Sequence, residues 1–130
     1  MTPARVLIVD DNVMNLELVG FILDANAFAV ASASHADQAL ALIASFQPDL
    51  ILMDIQLPGM DGLSLTRQLK ADPNTRHIVI VAFTAYAMKG DEAKMLAAGC
   101  DGYLSKPIEV ATFASQVRAF IDAATGAGAS

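Results

Sequence analysis

The chain has 130 residues, a formal net charge of -6 and 55% apolar residues, with a sequence pI near 4.5 and a mean hydropathy of +0.47. That length fits one domain able to bury a core, and the acidity argues against a nucleic-acid phosphate backbone as a direct partner. A single cysteine, Cys100, rules out an internal disulfide and suits a reducing cytoplasm. No apolar run approaches the ~18–20 residues of a membrane span, so no membrane partner is expected.

The apolar content instead fits a sheet covered on both faces, whose strands are apolar throughout. The opening MTPARVLIVDDN reaches two aspartates too soon for a signal peptide. Residues 5–10 form a first strand ending in Asp10, with Asp11 next. Residues 13–25 read as a helix that Asp11 or Asn12 can cap. This helix carries Val13, Met14, Leu16, Leu18, Val19, Phe21, Ile22 and Leu23, more apolar residues than one core stripe needs.

Residues 28–33 form a second strand. Ala36, Leu40, Ile43 and Phe46 then step by three or four, a helix that Pro48 ends. Residues 50–54, LILMD, form a third strand that delivers one carboxylate, Asp54, just ahead of the turn Leu57-Pro58-Gly59. A helix over 62–71 stops at Asp72-Pro73. A strand over 78–84 ends in Thr84, and a helix over 88–98 stops at Gly99. Residues 102–105 form the last strand, followed by Lys106-Pro107. Val110, Phe113, Val117 and Phe120 mark a final helix, and residues 125–130 read as a flexible tail.

Five β–α pairs in strict alternation predict an α/β fold, a flavodoxin-like (βα)5 doubly wound parallel sheet of strand order 2-1-3-4-5. In such sheets the site lies beyond the carboxyl ends of the strands. Asp10, Asp11, Asp54, Thr84 and Lys106 all stand there. Each has an ordinary reading as a cap, a turn residue or a solvated side chain, but independent surface residues have no reason to end four strands at the same edge. Crowded carboxylates repel unless a cation joins them, and oxygen-only ligands suit Mg²⁺. Lys106 supplies a positive charge for an oxyanion and Thr84 a hydroxyl, a set fitted to handling a phosphoryl group. The histidines, His35 and His77, are expected at the opposite end of the sheet, and nothing suggests zinc.

Asp10-Asp11, Asp54 within LILMDIQLPGMDG, Thr84-Ala85 and Lys106-Pro107 together resemble the receiver domain of two-component response regulators, over residues 5–122. The segments TAYAMKGDE (84–92) and GCDGYLSKPI (99–108) are most similar to single-domain cell-division regulators and hybrid-kinase receivers of that family. The resemblance implies a receiver domain over 1–124 in which Asp54 is the phosphoacceptor. It implies Mg²⁺ held by Asp10, Asp11, Asp54 and the backbone carbonyl of Gln56. Lys106 and Thr84 would stabilise the phosphoryl group, Thr84 and Tyr103 would act as the switch, and the Lys106-Pro107 peptide would be cis.

The implied partners are a histidine kinase or histidine phosphotransfer protein and a downstream protein target on the face of helix four, strand five and helix five. The chain would be cytoplasmic, a monomer or weak dimer, and not an enzyme but a phosphoacceptor signalling protein that assists only its own phosphorylation and dephosphorylation. Met14, Leu18 and Pro107 are expected to contact the helices of the phosphotransfer bundle. Gln56 and Tyr86 are expected to tune dephosphorylation.

Rival readings fit less well. A hydrolase with an aspartate nucleophile, like the haloacid dehalogenases, needs a second acid where Gln56 stands. Nucleotide or flavin binding needs a phosphate-cradling loop where the chain has Asp10-Asp11-Asn12. A receiver fold that is never phosphorylated would have no use for all five site residues.

Overall fold

The computed structural model describes residues 3–55, 62–84, 89–105 and 108–125. Five parallel strands, β1 (Arg5–Val9), β2 (Ala29–Ala33), β3 (Leu50–Met53), β4 (Val79–Thr84) and β5 (Gly102–Ser105), form one sheet of order β2-β1-β3-β4-β5. The helices α1 (Val13–Ala25), α2 (Ala36–Phe46), α3 (Gly62–Ala71), α4 (Lys89–Ala98) and α5 (Phe113–Thr125) alternate with them.

The inner strands β1, β3 and β4 are buried along nearly their whole length because both faces are covered. Val6, Ile8, Leu50, Leu52, Val79, Val81 and Phe83 pack under α1 and α5, with Val19, Leu23, Phe113 and Val117. The alternate residues Leu7, Val9, Ile51, Met53, Ile80 and Ala82 pack with Ala39 and Ile43 of α2, Leu65 and Leu69 of α3, and Met95 of α4. This two-sided burial is why the strands read as continuous apolar runs.

The helix stops act as expected. Gly99, at φ 104°, ends α4, with its N–H on Leu96 O and that of Cys100 on Met95 O, a left-handed cap that glycine adopts without strain. Gln47 takes the left-handed position after α2, ahead of Pro48. Two expectations are corrected. Val110 belongs to a turn before α5 and is 63% exposed, so it is not part of that helix's inner stripe. His35 follows β2 and caps α2, its Nδ1 accepting from Gln38 N at 3.3 Å. It therefore lies on the carboxyl edge of the sheet, as every β-to-α connection must, while His77 precedes β4 at the other end.

Candidate functional site

The backbone ladder carries two aspartates to the same edge. Asp10 N donates to Ala33 O at 3.0 Å and Asp54 N to Val9 O at 2.9 Å, so both residues are still tied to the sheet. Asp10 is fully buried and Asp54 is 5% exposed. Asp11 stands at the exposed rim. One ligand oxygen from each of Asp10, Asp11 and Asp54 lies within 4.8 Å of the others.

Helix α1 organises the rim. Asn12, rather than Asp11, is its N-cap, accepting from Asn15 N at 3.1 Å. Asn12 N in turn donates to Asp10 Oδ1 at 2.9 Å, and Asn15 Nδ2 reaches Asp10 Oδ2 at 3.5 Å. These donors offset part of the repulsion at Asp10 and hold its carboxylate in place, and the positive end of the α1 dipole faces the same acids. The sequence reading did not assign Asn15 to this contact, although its place three residues past an N-cap was the available signal.

Oxygen-only donors, two buried and one open to water, fit a hard cation that keeps part of its hydration shell, as Mg²⁺ does. Thr84, 1% exposed, ends β4 beside Ser105 of β5. Tyr103 is half-buried on the edge strand, aligned with Ala82. Pockets of about 350 and 440 Å³ adjoin Tyr103 along α5. Gln56, Tyr86, Lys106 and Pro107, with the expected cis peptide, lie outside the described residues.

Two residues of α3 escaped the sequence reading. Gly62 seats α3 directly on the end of β3, and Thr66, fully buried, donates to Gly62 O at 2.7 Å. Met14 and Leu18 do not join the core: they are 78% and 46% exposed, and Phe21 on the same side of α1 is 75% exposed. The core face of α1 consists of Val19, Ile22 and Leu23.

A five-stranded parallel sheet of this order, with acids gathered at the ends of β1 and β3, is the architecture of a receiver domain, and the chain belongs to the response regulator receiver domain family, whose model matches residues 6–118. It is a DivK-like receiver of two-component signalling. The polar-differentiation response regulator DivK of Brucella anthropi is 42% identical over 119 residues, spanning 92% of this chain and 97% of that protein. The receiver domain of a sensor histidine kinase from Pseudomonas aeruginosa PAO1, crystallised with a magnesium ion coordinated in its active-site cleft, is 34% identical at a TM-score of 0.82, covering 92% of this chain and 98% of that one. A CheY-like receiver domain protein from Methanospirillum hungatei JF-1 is 28% identical at a TM-score of 0.86, covering 95% and 97%. Among the described residues, no helix is long and apolar enough to cross a membrane.

Proposed function

We propose that Asp54 accepts a phosphoryl group from a phosphohistidine of a histidine kinase or histidine phosphotransfer protein. The observation that carries this reading is the meeting of Asp54 with Asp10 and Asp11 at the sheet edge, with the nucleophile held rigidly by the β1–β3 ladder. Asp54 Oδ attacks phosphorus, the phosphorus–nitrogen bond breaks, and the imidazole leaves with its electron pair and takes a proton. Such a transfer depends chiefly on positioning and charge neutralisation.

Asp10, Asp11, Asp54 and the Gln56 carbonyl would hold Mg²⁺, and the magnesium in the Pseudomonas receiver supports that assignment. Bound there, the ion would neutralise phosphoryl oxygens. Lys106 pairs with Asp54 and then with its phosphoryl group, and Thr84 donates to a phosphoryl oxygen. The added charge, about -1.5 to -2, favours the state in which Thr84 and Tyr103 have moved, and the α4–β5–α5 face then binds its target. The pockets beside Tyr103 offer room for that movement.

The exposed apolar side of α1 favours docking of a phosphotransfer helix bundle on Met14 and Leu18, and Pro107 would join that contact. Gln56 and Tyr86 would tune dephosphorylation, and the phosphoryl lifetime in Tyr86→Ala tests the latter. The receiver unit extends through α5, whose last residue is Thr125, and the protein works in the cytoplasm as a monomer or weak dimer.

Intact-protein mass after incubation with a small acyl phosphate tests the central claim. The expected result is a gain of one phosphoryl group that requires Mg²⁺ and disappears in Asp54→Asn. If no gain follows either from the acyl phosphate or from a phosphorylated histidine donor, the chain is a binding module and Asp54 is not an acceptor.

A further inference from the structure

Helix α3 is clamped at both ends, and the two clamps lie on the two parts of the molecule that signalling must connect. At its first residue, Gly62 N donates to Ile55 O at 3.2 Å. A Cβ at Gly62 would overlap the Asp54 carbonyl oxygen and lie 2.8 Å from Ile55 Cα. One turn on, the buried Thr66 hydroxyl donates to Gly62 O at 2.7 Å, and Thr66 lies beside the Cys100 thiol.

At the other end, Lys70 Nζ donates to Ile78 O at 2.8 Å, to Arg76 O at 3.2 Å and to Asp101 Oδ2 at 2.9 Å. The same Asp101 oxygen accepts from Ile80 N at 2.8 Å, and Asp101 N donates to Ile80 O at 2.7 Å. Gly99 completes the grip, since a Cβ there would lie 2.9 Å from Lys70 Cγ. The turn from α4 into β5 is thus held by the last turn of α3 on one side and by the start of β4 on the other. Tyr103 stands two residues beyond Asp101.

We propose that α3 is a second mechanical link between Asp54 and β5, parallel to the Thr84–Tyr103 pair, with Thr66 and Lys70 as its positioning residues. This rests on Asp54 being the phosphorylated residue. A helix of ten residues is a rigid rod about 15 Å long. Its first residue is in van der Waals contact with the carbonyl of the acceptor, so a shift of that carbonyl cannot be absorbed locally. The rod passes the shift to Thr66–Cys100 and Lys70–Asp101, both of which act on the turn that enters the edge strand. The responding two-state element is β5 itself, with half-buried Tyr103 beside its pockets.

The test uses beryllofluoride with Mg²⁺ as the probe, a phosphoryl mimic that binds carboxylates, read by backbone amide NMR shifts in the full chain. In the wild type, shifts are expected at Asp54, Thr84, Gly99, Asp101 and Gly102. In Lys70→Met and in Thr66→Val, those at Gly99, Asp101 and Gly102 should fall at least twofold, while those at Asp54 and Thr84 stay. A merely structural Lys70 would leave the pattern intact in whatever fraction folds. If Lys70→Met does not fold, Asp101→Asn, which keeps an acceptor for Ile80 N and removes the charge, serves in its place. Wild-type-sized shifts at residues 99–102 in the variants overturn the link. Absence of any shift in the wild type instead overturns the assignment of Asp54, and the link falls with it.

Discussion

Gly62 and the carbonyl of Asp54 are packed so closely that a side chain at position 62 has no volume to occupy: its Cβ would stand 2.9 Å from the Asp54 carbonyl carbon. The requirement is one of space, because Gly62 is not among the residues with positive φ. Backbone lies on the other side of the contact, so no side-chain rotation relieves it. Gly62→Ala is therefore expected to cost roughly 2–3 kcal/mol by overpacking, measured by urea unfolding. A loss below about 0.5 kcal/mol would show that α3 can slide away from β3.

The acid cluster predicts effects of opposite sign with and without metal. Asp10 and Asp54 are both buried, and the three carboxylates approach within 4.8 Å. Removing one charge relieves repulsion of on the order of 1 kcal/mol per pair even in a water-like dielectric. The amide oxygen of Asn at position 10 can still accept from Asn12 N. In chelator, Asp10→Asn should melt higher than wild type. With millimolar Mg²⁺ the wild type should gain stability, about 2.7 kcal/mol at one hundred times its Kd, and the variant much less. A variant that melts lower than wild type in chelator would mean that the contacts made by the Asp10 carboxylate outweigh the repulsion it brings.

Much of this was legible in sequence because the inner strands are apolar on both faces, and only their last residues are free to be polar. Asp10, Asp54 and Thr84 stand out for that reason. The start of α5 was misplaced because Val110 keeps helical spacing with Phe113, yet a turn satisfies three-residue spacing equally well. His35 was put at the wrong edge by treating the start of a helix as the start of a unit, although every β-to-α loop lies at the carboxyl edge. Lys70 and Asp101 are 31 residues apart, and Thr66 meets Cys100 only through the fold. No local pattern announces such contacts.

The outward side of α1 separates docking from chemistry. Met14, Leu18 and Phe21 are spaced as one helical stripe and are all exposed. Replacing Met14 and Leu18 by Ala should change stability by no more than about 0.5 kcal/mol, as for other exposed positions. Phosphorylation by a small acyl phosphate should also be unchanged. Transfer from a phosphorylated histidine bundle should slow tenfold or more. Equal slowing with both donors would place these side chains in the chemistry, and no slowing with either would remove them from the interface.

Ala27 marks a site where the fold is less stable than it can be. It follows the Asn26 cap of α1 with φ 69°, its N–H on Asp24 O at 3.2 Å and that of Phe28 on Leu23 O at 3.0 Å. This is the left-handed cap position that glycine fills at Gly99, occupied here by a residue whose Cβ opposes it. Ala27→Gly should gain about 0.5–1 kcal/mol, the relief of strain exceeding the added freedom of the unfolded chain. A thermal melt resolves this, and a loss on substitution would show that the Ala27 methyl makes a contact worth more than the strain.

Cys100 gives a pH dependence of defined sign. Burial pushes its thiol above the ordinary value of 9.0, the Asp101 charge adds to the rise, and the Thr66 hydrogen bond and Lys70 oppose it. Folded chains thus keep this proton at a pH where unfolded chains release it, so unfolding releases a proton and stability falls as pH rises. The contribution is complete below the unfolded-state pKa and declines above it until the folded-state pKa is passed. Cys100→Ala lacks the titrating group. The stability difference between wild type and this variant, taken from urea unfolding near neutrality and again above pH 9.0, should therefore shift against the wild type on the alkaline side. Lysines and tyrosines titrate in both proteins and cancel in that difference. A difference constant across the range would mean that the thiol ionises as readily in the fold as in the unfolded chain.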